Sequence, residues 1–425
     1  MKIVMMTNTY KPIVGGLEKS VELFSKKYRQ LGHQVLIVAP EFKNQVEEKG
    51  VLRVAAIQNF NGTDFSVELP ISKKLDDKLE EFKPDIVHTH HPFLIGDTAL
   101  RTAKKFNIPL VFTHHTLYER YTHYVPADSP LIKKFTIQLT AGYANLSDTV
   151  IAPSQAIQDL LKKRKVKTPI EVIPTGIKVD RFSSGKGGQF CQKNRIAKDD
   201  FVVGFVSRVV KEKNIYFLAQ AVAQFLKNNK KTHFLIVGDG PDKEEVSKLF
   251  KKEGLEDKVT LTGTIEGQKL INAYAAIDVF AFASFTETQG LVIQEAMAAS
   301  LPVVAIDAPG VGEVVEDGVN GYLLESENIR EFSVALCKIK KMDKKKLEKM
   351  KKAAYQTATE FSLDKQVKKA LKLYKKLISQ ELAKKGKENT LWQEAKRVIK
   401  AEVALVRNIT QATQQALKKD FLQEK

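Results

Sequence analysis

Short apolar runs alternate with helix-patterned segments along this chain, and the alternation comes in two successive series. Lys2–Met6, Gln34–Ala39, Asp85–His88, Pro109–Thr113 and Thr149–Ala152 have the length and continuous hydrophobicity of parallel strands buried on both faces. Phe201–Val206, Thr232–Val237, Val259–Thr262, Val279–Phe282 and Pro302–Ile306 repeat the pattern. Parallel strands cannot be joined by tight turns, so each neighbouring pair needs a crossover, usually a helix. Between the first two runs, Leu17, Val21, Phe24, Tyr28 and Leu31 recur at spacings of four and three, which makes one apolar helix face with Gly32 as its stop signal. A chain of 425 residues exceeds one core, and two βα series predict two doubly wound, Rossmann-like α/β domains.

The Pro- and Gly-bearing stretch Ile173–Phe182 predicts the hinge, and Ser183–Gly188 after it reads as loop. The expected division is an N-terminal domain over 1–176, a second domain over 177–365, and a helical, lysine-rich extension over 366–425. Leu363–Leu382 reads as one long helix leading into that extension. The tail from Lys387 adds an amphipathic stretch bearing Trp392, Ile399, Val403 and Val406, which fits either a helix packed on the body or one lying on lipid. Doubly wound domains bind ligands beyond the carboxyl ends of their strands, so the expected site is the cleft across which the two domains face each other.

Composition narrows the partners. The formal charge of +18 suits an anionic partner. It is dense in Leu161–Lys167 and in Lys338–Lys352, where no aromatics interleave, so nucleic acid is not expected. An anionic membrane surface and plain solvated helix faces both account for these lysines. The two cysteines, Cys191 and Cys337, offer no disulfide framework and fit a reducing cytosol. No apolar run has the length of a membrane span, and no signal peptide is expected ahead of the strand-like Lys2–Met6.

The chemistry concentrates at strand ends. Glu287 and Glu295, separated by seven residues, flank the passage from an apolar strand into a helix. One carboxylate precedes the helix and the other lies in its second turn. Between them Gly290 lets a ligand approach the N–H groups of the helix start, which suits an anion held by backbone beside hydroxyls held by carboxylates. Arg208 and Lys213 follow Phe201–Val206 and would neutralise a diphosphate as its charge grows. Val237-Gly-Asp-Gly-Pro ends the next strand in a turn. In the first domain, Gly15-Gly16 opens the first helix; phosphate approach and a tight turn explain it equally well. Six of the eight histidines lie between positions 88 and 123. His88, His90 and His91 end one strand and His114 and His115 the next, so a cleft role, a structural role and a metal site are all open. His115 is the first choice for chemistry. Tyr118, Tyr121 and Tyr124 follow it and with His91 suggest an acceptor pocket. There is no HExxH and no Asp-x-Asp, so no bound metal and no other cofactor is expected.

In this order and spacing the motifs resemble the retaining GT-B glycosyltransferases of family GT4, over about residues 1–380. The resemblance rests on Gly15-Gly16, Val87-His-Thr-His-His, Thr113-His-His-Thr, Ser207–Asn214, Val237-Gly-Asp-Gly-Pro and Glu287-x7-Glu295 running into Ala296-Met-Ala-Ala. It implies that Glu295 holds the nucleotide ribose and that Glu287 contacts the donor hexose. It implies that Arg208 and Lys213 bind the diphosphate, and that Thr288, Gln289, Gly290, Leu291 and Val292 meet sugar and distal phosphate, Gln289 to Val292 through their backbone. His115 would sit near the transferring sugar. Retention in the family is thought to proceed on one face of the sugar, the leaving phosphate helping to deprotonate the acceptor.

Thr113–Tyr124 and Glu287–Val292 are similar to bacterial diacylglycerol glucosyltransferases. Two positions depart from the pattern: Ser300 stands where the family usually has Gly before Leu-Pro-Val, and Gly-Gly-Leu-Glu at 15–18 replaces an Asn/Ser-Gly-Val loop. The expectation is therefore a hexosyltransferase using a nucleotide sugar, UDP-glucose first, acting on a membrane glycerolipid or lipid-linked acceptor. It would be cytoplasmic and peripheral on the inner face of the membrane. The rivals are the same chemistry on a soluble acceptor and a metal-dependent hydrolase built on the histidines.

Overall fold

The computed structural model describes residues 1–13, 15–42, 45, 47–57, 67–68, 73–122, 129–384 and 391–418. The chain forms two compact units, one of Met1–Gly176 with Gln366–Lys425 and one of Ile177–Lys365.

The first unit contains β1 (Lys2–Met6), α1 (Gly16–Gln30), β2 (Gln34–Pro40), β3 (Val51–Val54), β4 (Ala56–Ile57), β5 (Val67–Glu68), α2 (Lys73–Phe82) and β6 (Ile86–Thr89). It continues through α3 (Ile95–Phe106), β7 (Leu110–Thr113), α4 (Pro130–Ala144), β8 (Thr149–Ala152), α5 (Gln155–Lys163) and β9 (Ile170–Val172). Seven parallel strands run in the order β3-β2-β1-β6-β7-β8-β9, and β4 and β5 form a separate antiparallel pair. The strand order reverses between β1 and β6, the topological switch point of this sheet.

The second unit contains α6 (Val179–Phe182), α7 (Gly187–Lys193), β10 (Phe201–Val206), α8 (Ile215–Asn228), β11 (Thr232–Val237), α9 (Lys243–Lys252), β12 (Val259–Leu261) and α10 (Gly267–Tyr274). Then come β13 (Val279–Phe282), α11 (Leu291–Ala298), β14 (Val303–Ile306), β15 (Gly321–Leu324), α12 (Ile329–Lys340) and α13 (Lys344–Glu360). Its six strands are parallel in the order β12-β11-β10-β13-β14-β15, with the switch between β10 and β13. Two helices close the chain, α14 (Leu363–Lys384) and α15 (Leu391–Leu417).

Local chemistry explains the register and the ends. An aspartate ahead of three strands accepts an N–H of the neighbouring strand: Asp85 from Lys2 at 2.7 Å, Asp148 from Leu110 at 2.8 Å and Asp278 from Val202 at 2.8 Å. Each bond starts a parallel pair in one register. Helix α1 ends as its sequence suggests. Gly32 takes φ +82°, its N–H reaches the Arg29 carbonyl at 3.1 Å, and the His33 N–H reaches that of Tyr28 at 3.0 Å. Val21, Phe24 and Tyr28 are buried, but Leu31 caps the helix and is exposed, because the face ends one turn earlier.

The stretch Ser183–Gly188 differs from its expectation as loop, since Gly187 opens α7. A Cβ on Gly187 would fall 2.0 Å from the Ala275 carbonyl oxygen, so glycine permits close packing here rather than marking a free loop.

Candidate functional site

In the second unit the candidate residues follow β10 and β13, the strands that flank the switch point. After β10 the backbone of Ser207–Val209 is clasped by the Val237-Gly-Asp-Gly-Pro turn. The Ser207 N–H donates to the Val237 carbonyl at 3.1 Å, Val209 donates to Asp239 at 2.9 Å, and Asp242 donates back to Val209 at 3.2 Å. A Cβ on Gly238 would lie 1.8 Å from the Ser207 oxygen and one on Gly240 2.2 Å from that of Val209. The two glycines therefore let one strand-end loop lie against the other and fix the stem of Arg208. Arg208 itself is exposed and forms no ion pair among the described residues.

Lys213 closes the same loop, and its ammonium pairs with the Glu287 carboxylate. Two hydroxyls from the β13 loop, Ser284 and Thr286, donate to the Glu212 carbonyl at 3.4 and 3.2 Å. Asn214, in the left-handed region at φ +54°, donates from Nδ2 to the Ala283 carbonyl at 3.2 Å. These bonds lock the two loops together and set Lys213 opposite Glu287.

Behind Glu287 the chain turns into α11 through Gly290, which caps the helix at φ +68° with no side-chain cap. The first-turn N–H groups lack intrahelical acceptors, and the helix dipole favours an anion there. Gly310 supports this turn from below. At φ +76° its Cβ would lie 2.7 Å from the Gln289 nitrogen and 2.8 Å from the Thr288 carbonyl carbon. Gln289 is buried and donates from Nε2 to Gln294 Oε1 at 3.0 Å, so only its backbone faces the turn. Thr288, Leu291 and Val292 are half-buried around the same turn.

Glu295 is 2 % exposed and accepts a hydrogen bond from the Tyr274 hydroxyl at 3.0 Å. Burial first, then the Glu295 charge, holds the Tyr274 phenol well above its ordinary range, so it donates at any working pH. Sequence reasoning missed Tyr274, Ser284, Thr286 and Gly310. Of these only Pro309-Gly310 carried a signal, as a turn dipeptide.

In the first unit the histidines separate by partner. His88 is bound at both ring nitrogens, Nε2 to Thr113 Oγ1 at 2.6 Å and Nδ1 to the Tyr374 hydroxyl at 2.6 Å. The Tyr28 hydroxyl donates to Tyr374 at 3.2 Å and extends the chain to α1. His91, expected at an acceptor pocket, instead turns Nδ1 inward and accepts the Asn8 N–H at 3.1 Å. The Asn8 side chain in turn donates to the Phe93 carbonyl and accepts from Ile95, each at 3.1 Å, so His91 holds the β1–α1 loop. His114 is fully buried and edge-on to Phe112 and Tyr118.

His90 and His115 form the remaining pair. Nδ1 of the first and Nε2 of the second lie 2.9 Å apart, with the rings stacked. They line a narrow cavity with Ser20, Thr113 and Thr175. Burial pushes His88, His91, His114 and His115 down to about 3. His90 is held well below its ordinary value by burial and its histidine neighbours. All five are therefore neutral near pH 7, and His115 is a hydrogen-bonding group rather than a cation. No group of three His, Cys, Asp or Glu side chains among the described residues is placed to hold a metal ion.

Tyr118 packs on Phe93 at 4.9 Å in a short 3-10 turn over Tyr118–Arg120, which the Glu119–Arg164 ion pair anchors at 2.6 Å. Tyr121 follows that turn, and Tyr124 lies outside the described residues. Gly15 and Gly16 open α1 as expected, but Glu18 folds back over them. A Cβ on Gly15 would lie 2.4 Å from Glu18 Oε2, so a phosphate approaching this helix start meets a carboxylate.

Two family descriptions match the chain: Glycosyltransferase Family 4 over residues 14–181 and Glycosyl transferases group 1 over residues 189–357. The chain is 33% identical over 341 residues to the alpha-monoglucosyldiacylglycerol synthase of Acholeplasma laidlawii, covering 76% of this chain and 84% of that one. It is 32% identical to the protein of the same name from Streptococcus pneumoniae, covering 77% and 76%. A GDP-mannose-dependent alpha-mannosyltransferase of Corynebacterium glutamicum is 28% identical, covering 78% of each chain. Among solved structures, Anabaena HepE in complex with UDP superposes with a TM-score of 0.73 at 24% identity, covering 89% of this chain and all of that one.

Proposed function

The chain is a GT-B glycosyltransferase of family 4, and from that premise we propose that it transfers glucose, with retention, from UDP-glucose to diacylglycerol in a membrane. The observation that carries the donor reading is the switch-point arrangement of the second unit. Lys213 and Glu287 neutralise each other there, beside an open helix N-terminus and in front of the Tyr274–Glu295 bond. A nucleotide sugar has complementary groups for each part. Its ribose hydroxyls suit Glu295, its diphosphate suits Arg208, Lys213 and the α11 N–H groups, and its hexose hydroxyls suit Glu287.

As the C1–oxygen bond to phosphate breaks, charge grows on the departing oxygen, and the cations and helix dipole lower that cost. The acceptor hydroxyl oxygen bonds to C1 and its proton passes to the departing phosphate. His115, held neutral near pH 7 by burial, is a hydrogen-bonding group rather than a cation. Lys213 exchanges its carboxylate partner for phosphate, which frees Glu287 for the sugar. The lipid acceptor and glucose are supported by the two relatives named alpha-monoglucosyldiacylglycerol synthase.

The test is nucleotide release from UDP-, GDP- and ADP-sugars, with and without diacylglycerol, and NMR of the product anomer. Diacylglycerol-dependent UDP release with an α-linked product supports the proposal. Transfer only to soluble saccharides, or an inverted product, overturns it.

A further inference from the structure

Helix α15 is clamped to the first unit by one face. Ala401, Leu405, Asn408, Ala412 and Ala416 are buried, and α15 packs on α3 and α4. The approach is close at Gly142 of α4, where a Cβ would overlap Asn408, whose Nδ2 donates to the Leu139 carbonyl at 3.1 Å. Arg101 binds Glu402 through two nitrogens, at 2.5 and 3.1 Å. The inner face is thus committed, and the outer face cannot rotate inward.

That outer face carries an apolar stripe, interrupted only by Thr410 within its sector. Trp392 is 75% exposed, Val403 52% and Val406 61%, and Ile399 and Leu417 are similarly bare. At 3.6 residues per turn these five fall within a sector of about 60°, directly opposite the buried face. Exposed Lys396, Lys400, Arg407 and Lys418 make a parallel row roughly a quarter-turn away. Glu402, next to Val403 in sequence, is tied to Arg101. No helix among the described residues is long and apolar enough to cross a membrane.

We propose that the outward face of α15 is the surface by which this protein lies on an anionic lipid bilayer, with the apolar stripe in the interface and the cationic row on the headgroups. Charge selects this occupant. Pairing two copies through the stripe would offer the cationic row no counter-charge, whereas anionic headgroups satisfy both features at once. A helix of this length would lie along about 40 Å of membrane. The proposal rests on the reading of a membrane acceptor but names the surface that reaches it.

Trp392 is the single tryptophan of the chain, so its emission reports this face alone. Vesicles of phosphatidylcholine enriched in phosphatidylglycerol should shift it to the blue and draw the full chain down on sedimentation; pure phosphatidylcholine vesicles should do so far less, and salt should reverse both effects. Val403→Asp with Val406→Asp should lower partition at least tenfold, and each of Lys400→Glu and Arg407→Glu by about fivefold or more. Vesicle binding with unchanged Trp392 emission, or with wild-type partition in the Val403→Asp, Val406→Asp variant, overturns the proposal and leaves the acceptor reading standing. A concentration-dependent dimer abolished by the same variant also overturns it. Failure of diacylglycerol to accept sugar while Trp392 still enters vesicles sinks the acceptor reading alone.

Discussion

Tyr274→Phe isolates the support behind the proposed donor site. The substitution removes one oxygen and leaves a ring of the same shape. The ring keeps its edge-on contact with Phe182 at 5.4 Å and its neighbour Phe280 at 6.1 Å. What is lost is the 3.0 Å hydrogen bond to Glu295, a carboxylate only 2 % exposed. A hydrogen bond to a buried charge contributes about 1.5–3 kcal/mol, and little water can replace it here. For a unit of this size each kcal/mol moves the melting temperature by about 2–4 °C, so a loss of about 3–12 °C is expected. Glu295 keeps further contacts, so its hold on ribose should weaken without vanishing. Calorimetric titration should show UDP and UDP-glucose binding weakened together by about tenfold, the equivalent of 1.4 kcal/mol. The donor KM should rise by the same factor and kcat should stay within about twofold, because the ribose is remote from the broken bond. Glu295→Gln should mimic it more severely. If Glu295→Gln abolishes nucleotide binding while Tyr274→Phe changes neither affinity nor melting temperature, Tyr274 does not position the carboxylate and the argument fails.

Other expectations follow from equally local geometry. Ser300 sits at φ +60° just after α11, in a Schellman ending with its N–H on Met297 at 2.9 Å and the Leu301 N–H on Ala296 at 3.0 Å. Ser300→Gly should therefore raise stability by about 1 kcal/mol in urea unfolding, and a neutral or lower midpoint would refute the strain reading. Gly310→Ala should push the Thr288–Gln289 backbone and raise donor KM at least tenfold, checked by initial-rate kinetics beside thermal melting. Lys213→Met leaves Glu287 without its cation and should lower kcat by about a hundredfold or more, while Lys211→Met, next door and exposed, should leave it unchanged.

Acid should unfold the first unit early. Histidines held near 3 bind fewer protons than unfolded ones near 6.5, so stability rises with pH across that window and is lost as pH falls through it. Asp97, pushed up to about 6 by burial, opposes this with one group against several. A flat circular-dichroism midpoint between pH 7 and 4 would contradict it.

The strands that organise both sheets were legible because each is a short, apolar-rich run between turn signals. β3, β9 and β15 escaped notice because Val51–Val54, Ile170–Val172 and Gly321–Leu324 are short, partly exposed edge strands with too few residues to show a period. Candidate residues were legible by type and by place at a strand end. Their partners were not. Lys213 and Glu287 are separated by 74 positions, and His88 and Tyr374 by 286. Spacing along a strand end says which side chains share an edge, but not which of five histidines finds an Asn8 N–H or a tyrosine hydroxyl. Rotamers settle that, and they depend on elements contributed from elsewhere in the chain.

The two carboxylates of the proposed donor site show what that distinction does. Glu287 stands on a loop, opposite a lysine whose own loop is held by Ser284, Thr286 and Asn214. Its partner is a flexible cation, which a phosphate can draw away at little cost. Glu295 stands on a helix, buried, with a tyrosine as donor. A carboxylate so placed is already desolvated and oriented before a ligand arrives, so a hydroxyl binding to it gives up little side-chain freedom on the protein's side. In the proposed reaction one carboxylate thus changes partner and the other does not. Loss of Glu287 should therefore appear chiefly in kcat, and loss of Glu295 chiefly in nucleotide affinity. Glu287→Gln and Glu295→Gln measured side by side decide it: parallel effects on both constants would mean that the two environments do not divide the work.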